Sequence, residues 1–312
     1  MLIPEPRMTG YVDFLGHKTW YRVTGGETAT LPPLVVLHGG PGACHDYTLR
    51  FAGLAPPERA VIHYDQLGCG NSTHLREALA DFWTVRLFLD ELDAVLGHLG
   101  IAGSYHLLGQ SWGGMLGAEH AIRRPPHRLG GGLRGLVIAD SPPSMELWVR
   151  EANRLRAGLP AEVQATLLRH EAAGTTSDPE YEAATAVFYA RHVCRVQPMP
   201  AEMQASFAKI AEDPTVYHTM NGPSEFHCVG SLRTWDIIDQ LKQIRAETLL
   251  ISGRHDEATA AVVRPFADRI PRNRWVIFED SSHMPHVEET EACLGVIRVF
   301  LEQQDGLEEH DG

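Results

Sequence analysis

The stretch "LLGQSWGGML", residues 107–116, sets Ser111 between Gly109 and Gly113 at the end of an apolar run. Two glycines so placed raise the question of why the chain tolerates so little side chain around one serine. The spacing fits G-x-S-x-G, a sharp strand-to-helix turn whose small neighbours let other backbone approach and leave the serine presented. The flanks meet the structural demand of that motif, because "YHLL" (105–108) predicts a buried strand and "MLGAEHAI" (115–122) a helix. Ser111 is therefore a candidate nucleophile.

Outward from this turn the chain alternates strands and helices. "LVVLHGG" and "AVIHYDQLG" predict short parallel strands covered on both faces, since their apolar character is nearly continuous. "YVDFL" and "TWYRV" around Gly16 predict a hairpin. From Trp83 to Leu99 the apolar residues Val85, Phe88, Leu89, Leu92, Val95, Leu96 and Leu99 recur at helical spacing, which leaves Asp90, Glu91, Asp93 and His98 for solvent. "RGLVIAD" predicts a strand ending at Asp140. After "SPPS" (141–144) about a hundred residues carry helical signatures with Pro and Gly breaks, and strands return at "AETLLISG" (246–253). "VVRPFADRI", "RWVIFED" and "ACLGVIRVFL" then resume the alternation. The pattern implies an α/β fold with a mostly parallel, doubly wound sheet. Its core comprises residues 1–142 and 241–312, and a helical cap, 143–240, is inserted after a late core strand.

The chain has 312 residues, 44% of them hydrophobic and 21% charged, as expected of a packed enzyme-sized body. With 27 Lys plus Arg against 40 Asp plus Glu, a formal charge of -13 opposes binding to nucleic acid or anionic membranes. The start "MLIPEPRMTG" lacks the apolar core of a signal peptide, and no apolar run reaches membrane-span length, so a cytoplasmic location is expected. Five cysteines (Cys44, Cys69, Cys194, Cys228, Cys293) without C-x-x-C spacing read as free thiols, with no disulfide framework and no metal site. The acidic end "LEQQDGLEEHDG" (301–312) reads as frayed in its last part.

A serine hydroxyl needs a base to take its proton and a third group to orient that base. In this architecture the acid and then the histidine follow late strands. "LLISGRHDEAT" places Asp256 after one strand, and "WVIFEDSSHMPHVEE" places His283 after the next. His286 is the local competitor for the base and His255 a weaker one, and Asp140 is the competing acid. Backbone donors for an oxyanion are expected from Trp112, beside the nucleophile, and from Gly40 in "HGGPG" (38–42). "DQLGCGNS" (65–72) predicts a structural turn shaping the pocket floor, with Cys69 redundant beside Ser111.

Taken jointly, "HGGPG", "DQLGCGNS", "GQSWGG", "GRHDEAT" and "SSHMPHVEE" resemble the proline iminopeptidase family of α/β-hydrolases and its close relatives, the L-amino acid amidases. The resemblance runs over nearly the whole chain, including "NGPSEFHCVGSLRTWD" (221–236). Long-type members have Arg where Leu67 stands, so the chain looks closer to the shorter aminopeptidase and amidase branch. The resemblance implies an α/β-hydrolase fold and a serine hydrolase that releases an N-terminal proline or small apolar residue from short peptides, or cleaves amino-acid amides. It also implies that carboxylates hold the free α-amino group, at positions that Glu225 and Glu257 match. A buried ammonium needs such charge-assisted partners.

No cofactor or metal is required by this scheme, and the expected partner is a small-molecule or short-peptide substrate. Phe188, Tyr189, Phe226 and Trp235 are candidates for a side-chain pocket or for packing within the insertion. An esterase or lactonase using the same triad on neutral acyl groups is the nearest alternative. A dehalogenase or epoxide hydrolase is disfavoured, because it would place Asp at position 111. A non-catalytic receptor is disfavoured because every catalytic position is filled.

Overall fold

The computed structural model describes residues 3–123 and 132–306. The expectation for the acidic end falls mostly on residues 307–312, outside the described residues. Eight strands form one sheet: β1 (Met8–Phe14), β2 (His17–Gly25), β3 (Leu34–Leu37), β4 (Ala60–Tyr64), β5 (Ser104–Gln110), β6 (Gly132–Ala139), β7 (Glu247–Gly253) and β8 (Asn273–Phe278). Their order is β1-β2-β4-β3-β5-β6-β7-β8. β1 and β2 form the expected hairpin, β2 runs antiparallel to β4, and every other pairing is parallel. All four side chains of β3 are buried, which suits a strand covered on both faces.

The chain leaves β3 toward β4 on one side and pairs with β5 on the other. That reversal opens a crevice at the carboxyl ends of β3 and β5, the place where open α/β sheets take their ligands. The register sets Leu37 beside Gly109, so "HGGPG" and the Ser111 turn emerge next to each other.

On one face, α1 (Val85–His98), α2 (Trp112–Arg123) and α8 (Ala260–Arg269) bury the larger hydrophobic cluster. On the other, α10 (Thr290–Asp305) packs with the 3-10 segment His45–Leu54 over Leu34, Val36, Leu108 and Val137. Between β6 and β7 lie α3 (Met145–Arg156), α4 (Ala161–Ala173), α5 (Pro179–His192), α6 (Ala201–Glu212) and α7 (Thr215–Met220). This helical segment has its own core of Leu159, Leu167, Tyr181, Phe188 and Phe226. It meets the loops at the strand ends through Val193, Cys194 and Met203 against Ala43, Tyr47, Met284 and Val287. The last short helix, α9 (Pro285–Glu288), follows β8. Among the described residues no helix is long and apolar enough to cross a membrane.

One residue of α1 departs from the pattern that helical spacing predicts. Thr84 caps the helix by accepting from the Leu87 amide at 3.1 Å, and the apolar stripe faces the sheet. Glu91, assigned to solvent by helical spacing, is fully buried. Its Oε1 accepts from the Thr19 hydroxyl and from the Leu67 amide, the latter at 2.8 Å. Periodicity counts a residue's angle around the helix and not the polar groups waiting opposite it. Burial pushes the Glu91 carboxyl up to about 8, with the two hydrogen bonds only partly opposing it.

An acid whose folded pKa is raised is fully tolerated below its unfolded pKa and costs stability as pH rises toward the folded value. Glu91→Gln keeps the acceptor for Thr19 and Leu67 and removes the titration. Its melting temperature should exceed the parent's by more at pH 8 than at pH 5, each kcal/mol appearing as roughly 2–4 °C. Equal gains at both pH values in calorimetry would show that Glu91 does not titrate in the fold.

Candidate active site

Ser111 sits between β5 and α2 with φ 56°, a left-handed backbone that serine adopts only under constraint. Its N–H donates to the Ala139 carbonyl at 2.9 Å, and its carbonyl accepts from Gly114 and Met115 as the first turn of α2. A Cβ at Gly109 would collide with the Gly113 carbonyl, and one at Gly113 with the Leu37 carbonyl. The two glycines of the opening motif are thus places where backbone touches backbone, and the serine is half-buried at the lip of a cavity.

Asp256 follows β7 and His283 follows β8. Asp256 Oδ1 accepts from the His283 Nδ1–H at 2.7 Å and from the Ala258 amide at 2.8 Å. The proton is thereby fixed on Nδ1, which leaves Nε2 as the basic nitrogen. Both side chains are buried, and the Trp148 ring meets the imidazole edge to face at 5.8 Å. Burial alone would lower the imidazole pKa, but the charge and hydrogen bond of Asp256, helped by Glu225 and Glu288, hold it above the ordinary value. Ser111, Gly40, Glu225 and His283 line one cavity of about 870 Å³.

The competitors stand elsewhere. His286 stacks on Phe51 at 4.5 Å, reaches the Tyr47 carbonyl through Nε2 at 3.0 Å, and is driven by burial down to about 3. His255 is exposed, and its carbonyl accepts from His192. Cys69 is buried against the Gln66 carbonyl, and burial pushes its thiol well up, which leaves it inert. Residues 65–72 do not line the cavity, contrary to the pocket-floor expectation. They brace it from behind: Gln66 Oε1 accepts from the Trp112 indole at 2.9 Å, while the buried Asp65 gathers the amides of His45 and Asn71.

Trp112 is the first residue of α2, where amides have no intrahelical acceptor. Gly40 has φ 110°, and the neighbouring Gly39 amide is already engaged by the Tyr47 hydroxyl at 2.6 Å. Tyr47 donates in turn to Gln110 Oε1 at 2.6 Å, and Gln110 Nε2 donates to the His283 carbonyl at 2.9 Å. This chain ties the β3 loop to the histidine loop through the residue just before the serine. Sequence reasoning missed it, because Gln110 occupies an unspecified position of G-x-S-x-G.

Glu225 lies on the cavity wall, with Oε1 accepting from the Tyr217 hydroxyl at 2.6 Å. Its amide donates to the Tyr189 hydroxyl at 3.3 Å, and its carbonyl accepts from the Trp148 indole at 2.6 Å. Glu257 is fully buried, and neither of its carboxyl oxygens has a hydrogen-bond partner among the described residues. Burial raises both carboxyls above the usual range, Glu257 further because the charges of Glu225 and Asp256 add to it. Of the four aromatic candidates, Tyr189 lines the cavity; Phe188 and Phe226 pack on each other at 4.9 Å inside the helical segment. Trp235 instead donates to Glu119 at 2.8 Å, joining that segment to α2.

Fold and site geometry define a hydrolase of the α/β type, and a family model described as the alpha/beta hydrolase fold matches residues 32–290. The proline iminopeptidase of Clostridium botulinum is 36% identical over 296 residues, 95% of this chain and 98% of that protein. The crystal structure of the proline iminopeptidase of Mycobacterium smegmatis is 52% identical, with a TM-score of 0.86 over 96% of this chain and 99% of the other. The crystal structure of VinJ is 54% identical, with a TM-score of 0.92 over 96% of this chain and 100% of the other. The chain belongs to the proline iminopeptidase family of α/β-hydrolases and is an enzyme of the hydrolase class.

An imidazolium cannot accept a proton, so any activity that uses His283 as its base is lost as pH falls through its pKa. Because that pKa is held above 6.5, the acid limb of kcat/KM on a non-titrating substrate should fall above pH 6.5. A limb below pH 6 would remove Asp256 and Glu225 as the charges that set it.

Proposed function

We propose that the enzyme removes an N-terminal amino acid, proline or a small apolar residue, from short peptides or amino-acid amides through an acyl-enzyme on Ser111. His283 Nε2 takes the hydroxyl proton as the oxygen attacks the carbonyl, and Asp256 holds the tautomer and stabilises the imidazolium. The amides of Trp112 and Gly40 bind the oxyanion, each such donor contributing roughly 3–4 kcal/mol to lowering the barrier. The imidazolium then protonates the leaving amine, and water repeats the sequence on the acyl-enzyme. None of these steps calls for a cofactor.

The observation that carries the substrate class is the pair of carboxyls behind the cavity. A buried Glu257 with no donor, beside Glu225 on the wall, is an unfavourable arrangement in an empty site. An α-ammonium supplies the donor that Glu257 lacks and the positive charge that both lack. The single-residue preference fits a helical cap, residues 143–240, laid over a core of residues 1–142 and 241–312. Tyr189, Tyr217 and Glu225 all come from that segment. Five unpaired cysteines favour a reducing compartment, so the cytoplasm is part of the proposal. The excess of acids over bases in the whole chain favours a small substrate over a nucleic acid.

The test is a matched panel of prolyl, alanyl and phenylalanyl anilides, their N-acetylated forms and a simple acyl ester. Ser111→Ala should lose at least about 10⁴-fold in kcat/KM on all of them. Glu225→Gln and Glu257→Gln should lose about 10- to 100-fold on free-amine substrates alone, as charge-assisted hydrogen bonds of roughly 1.5–3 kcal/mol imply. Preferential cleavage of the acetylated anilides or the ester by the parent enzyme would replace this reading with an esterase.

A further inference from the structure

Asp140, the competing acid in the sequence, has no role in the Ser111–His283–Asp256 scheme. It follows β6 in a left-handed conformation, φ 54°, one of four non-glycine residues with positive φ among the described residues. Its amide donates to Ile251 on β7 at 2.8 Å, and its side chain is fully buried. The carboxyl is in contact with that of Asp256, the acid holding His283. Among the described residues, neither oxygen of Asp140 nor Oδ2 of Asp256 has a well-formed hydrogen bond. Three buried acceptor atoms thus lack a well-formed donor, whereas Asp256 Oδ1 is doubly satisfied by His283 and Ala258.

Two buried carboxylates in contact cannot both be ionised at neutral pH, and a single proton between them supplies the donor that is lacking. Which acid holds it follows from the neighbours. Asp256 already accepts from an imidazole and an amide through Oδ1. Asp140 faces only further acids and weak groups: Asp256 itself, Glu288 on α9, and within electrostatic reach Cys293 on α10 and Tyr47. The Gly253 amide offers it slight relief, but burial and then Asp256 hold its carboxyl well above the ordinary range. The next residue reinforces the geometry, since the Ser141 hydroxyl contacts both the Ser111 and Ala139 carbonyls at 2.8 Å. One corner of the sheet therefore touches both the nucleophile's turn and the triad acid.

We propose that Asp140 is a positioning residue, a protonated acid whose O–H donates to Oδ2 of Asp256 and so fixes the carboxylate that orients His283. It touches no substrate and acts only through Asp256. The inference rests on the triad assigned above. A backbone held at positive φ beside a site is the kind of outlier from which function is inferred.

The test compares Asp140→Asn with Asp140→Gly, since both residues accept the left-handed backbone. Asparagine keeps a donor of the same shape without charge; glycine removes it. Asp140→Asn should keep kcat/KM within about threefold and leave the acid limb of the pH profile unmoved. Asp140→Gly should lower kcat at least about tenfold with KM nearly constant, on every substrate cleaved. A protonated Asp140 should give an infrared carbonyl band in the difference spectrum of parent minus Asp140→Asn at neutral pH, the bands of other protonated carboxyls such as Glu91 cancelling. If Asp140 is instead ionised, Asp140→Asn removes a negative charge near His283, and the acid limb falls by several tenths of a pH unit or more. That shift, no band in the difference spectrum, or parental kcat in Asp140→Gly would overturn the proposal. Should the glycine variant not fold, the asparagine limb and the infrared band still decide. Asp256→Asn keeps the two failures apart. If it retains parental activity the triad assignment falls, whereas its expected loss beside an unaffected Asp140→Gly removes Asp140 alone.

Discussion

Everything at this site depends on a crossing of bare backbone. The Gly113 position lies against the Leu37 carbonyl and the Gly109 position against the Gly113 carbonyl. The end of β3, the end of β5 and the first turn of α2 can meet only where no Cβ intervenes. That approach forces Ser111 into a left-handed conformation, a strain of order 1–3 kcal/mol that the surrounding hydrogen bonds must hold. The amide of Ser111 is held by Ala139 and its carbonyl by Ser141, so neighbouring β6 is the brace. With the turn held there, the start of α2 and the β3 loop necessarily flank the serine. The oxyanion donors of the proposed mechanism are by-products of this packing and need no separate device.

The second constraint is electrical. Glu257 lies within reach of Glu225 and Asp256, and Asp256 within reach of Asp140, while His283 is the group among them able to carry positive charge. Such a cluster is costly in a dry interior unless protons or a cation balance it. On the proposed reading the balance is divided by depth. A proton satisfies Asp140 and Asp256, the imidazole satisfies Asp256 in turn, and the substrate's ammonium satisfies Glu225 on the cavity wall and the buried Glu257. An empty site is then less stable than an occupied one, and binding energy comes from correcting that imbalance as much as from contact area.

Much of the fold was legible because parallel strands buried on both faces announce themselves as apolar runs, as "LVVL" and "YHLL" do. Ser111, Asp256 and His283 were legible as candidates because each sits just past such a run. What escaped was set by groups distant in the chain. Helical spacing sent Glu91 to solvent, yet Thr19 and the Leu67 amide stand opposite it and draw it in. Phe188 and Phe226 read equally as pocket or packing, and only the internal core of the helical segment decides for packing. Tyr217, which holds Glu225, carries no local signature at all. The "DQLGCGNS" turn was recognised as structural but misplaced, since the pairing of Gln66 with Trp112 depends on tertiary contact.

The position of the helical segment in the chain follows from the same corner of the sheet. β6 must end beside the serine turn to accept the Ser111 amide, and it therefore delivers the chain to the lip of the cavity. The helical segment that follows Ser141 lines the cavity through Tyr189, Tyr217 and Glu225, and the Ser144–Asp236 bridge closes its base before β7 begins. Had the same helices been inserted after β8, they would have had to pass the histidine loop, whose carbonyl is already tied through Gln110 and Tyr47 to the β3 loop. Leaving after β6 keeps that network intact and brings Glu225 back over the cavity from above. The strand that constrains the nucleophile is thus also the one from which the chain departs to build the wall around its substrate.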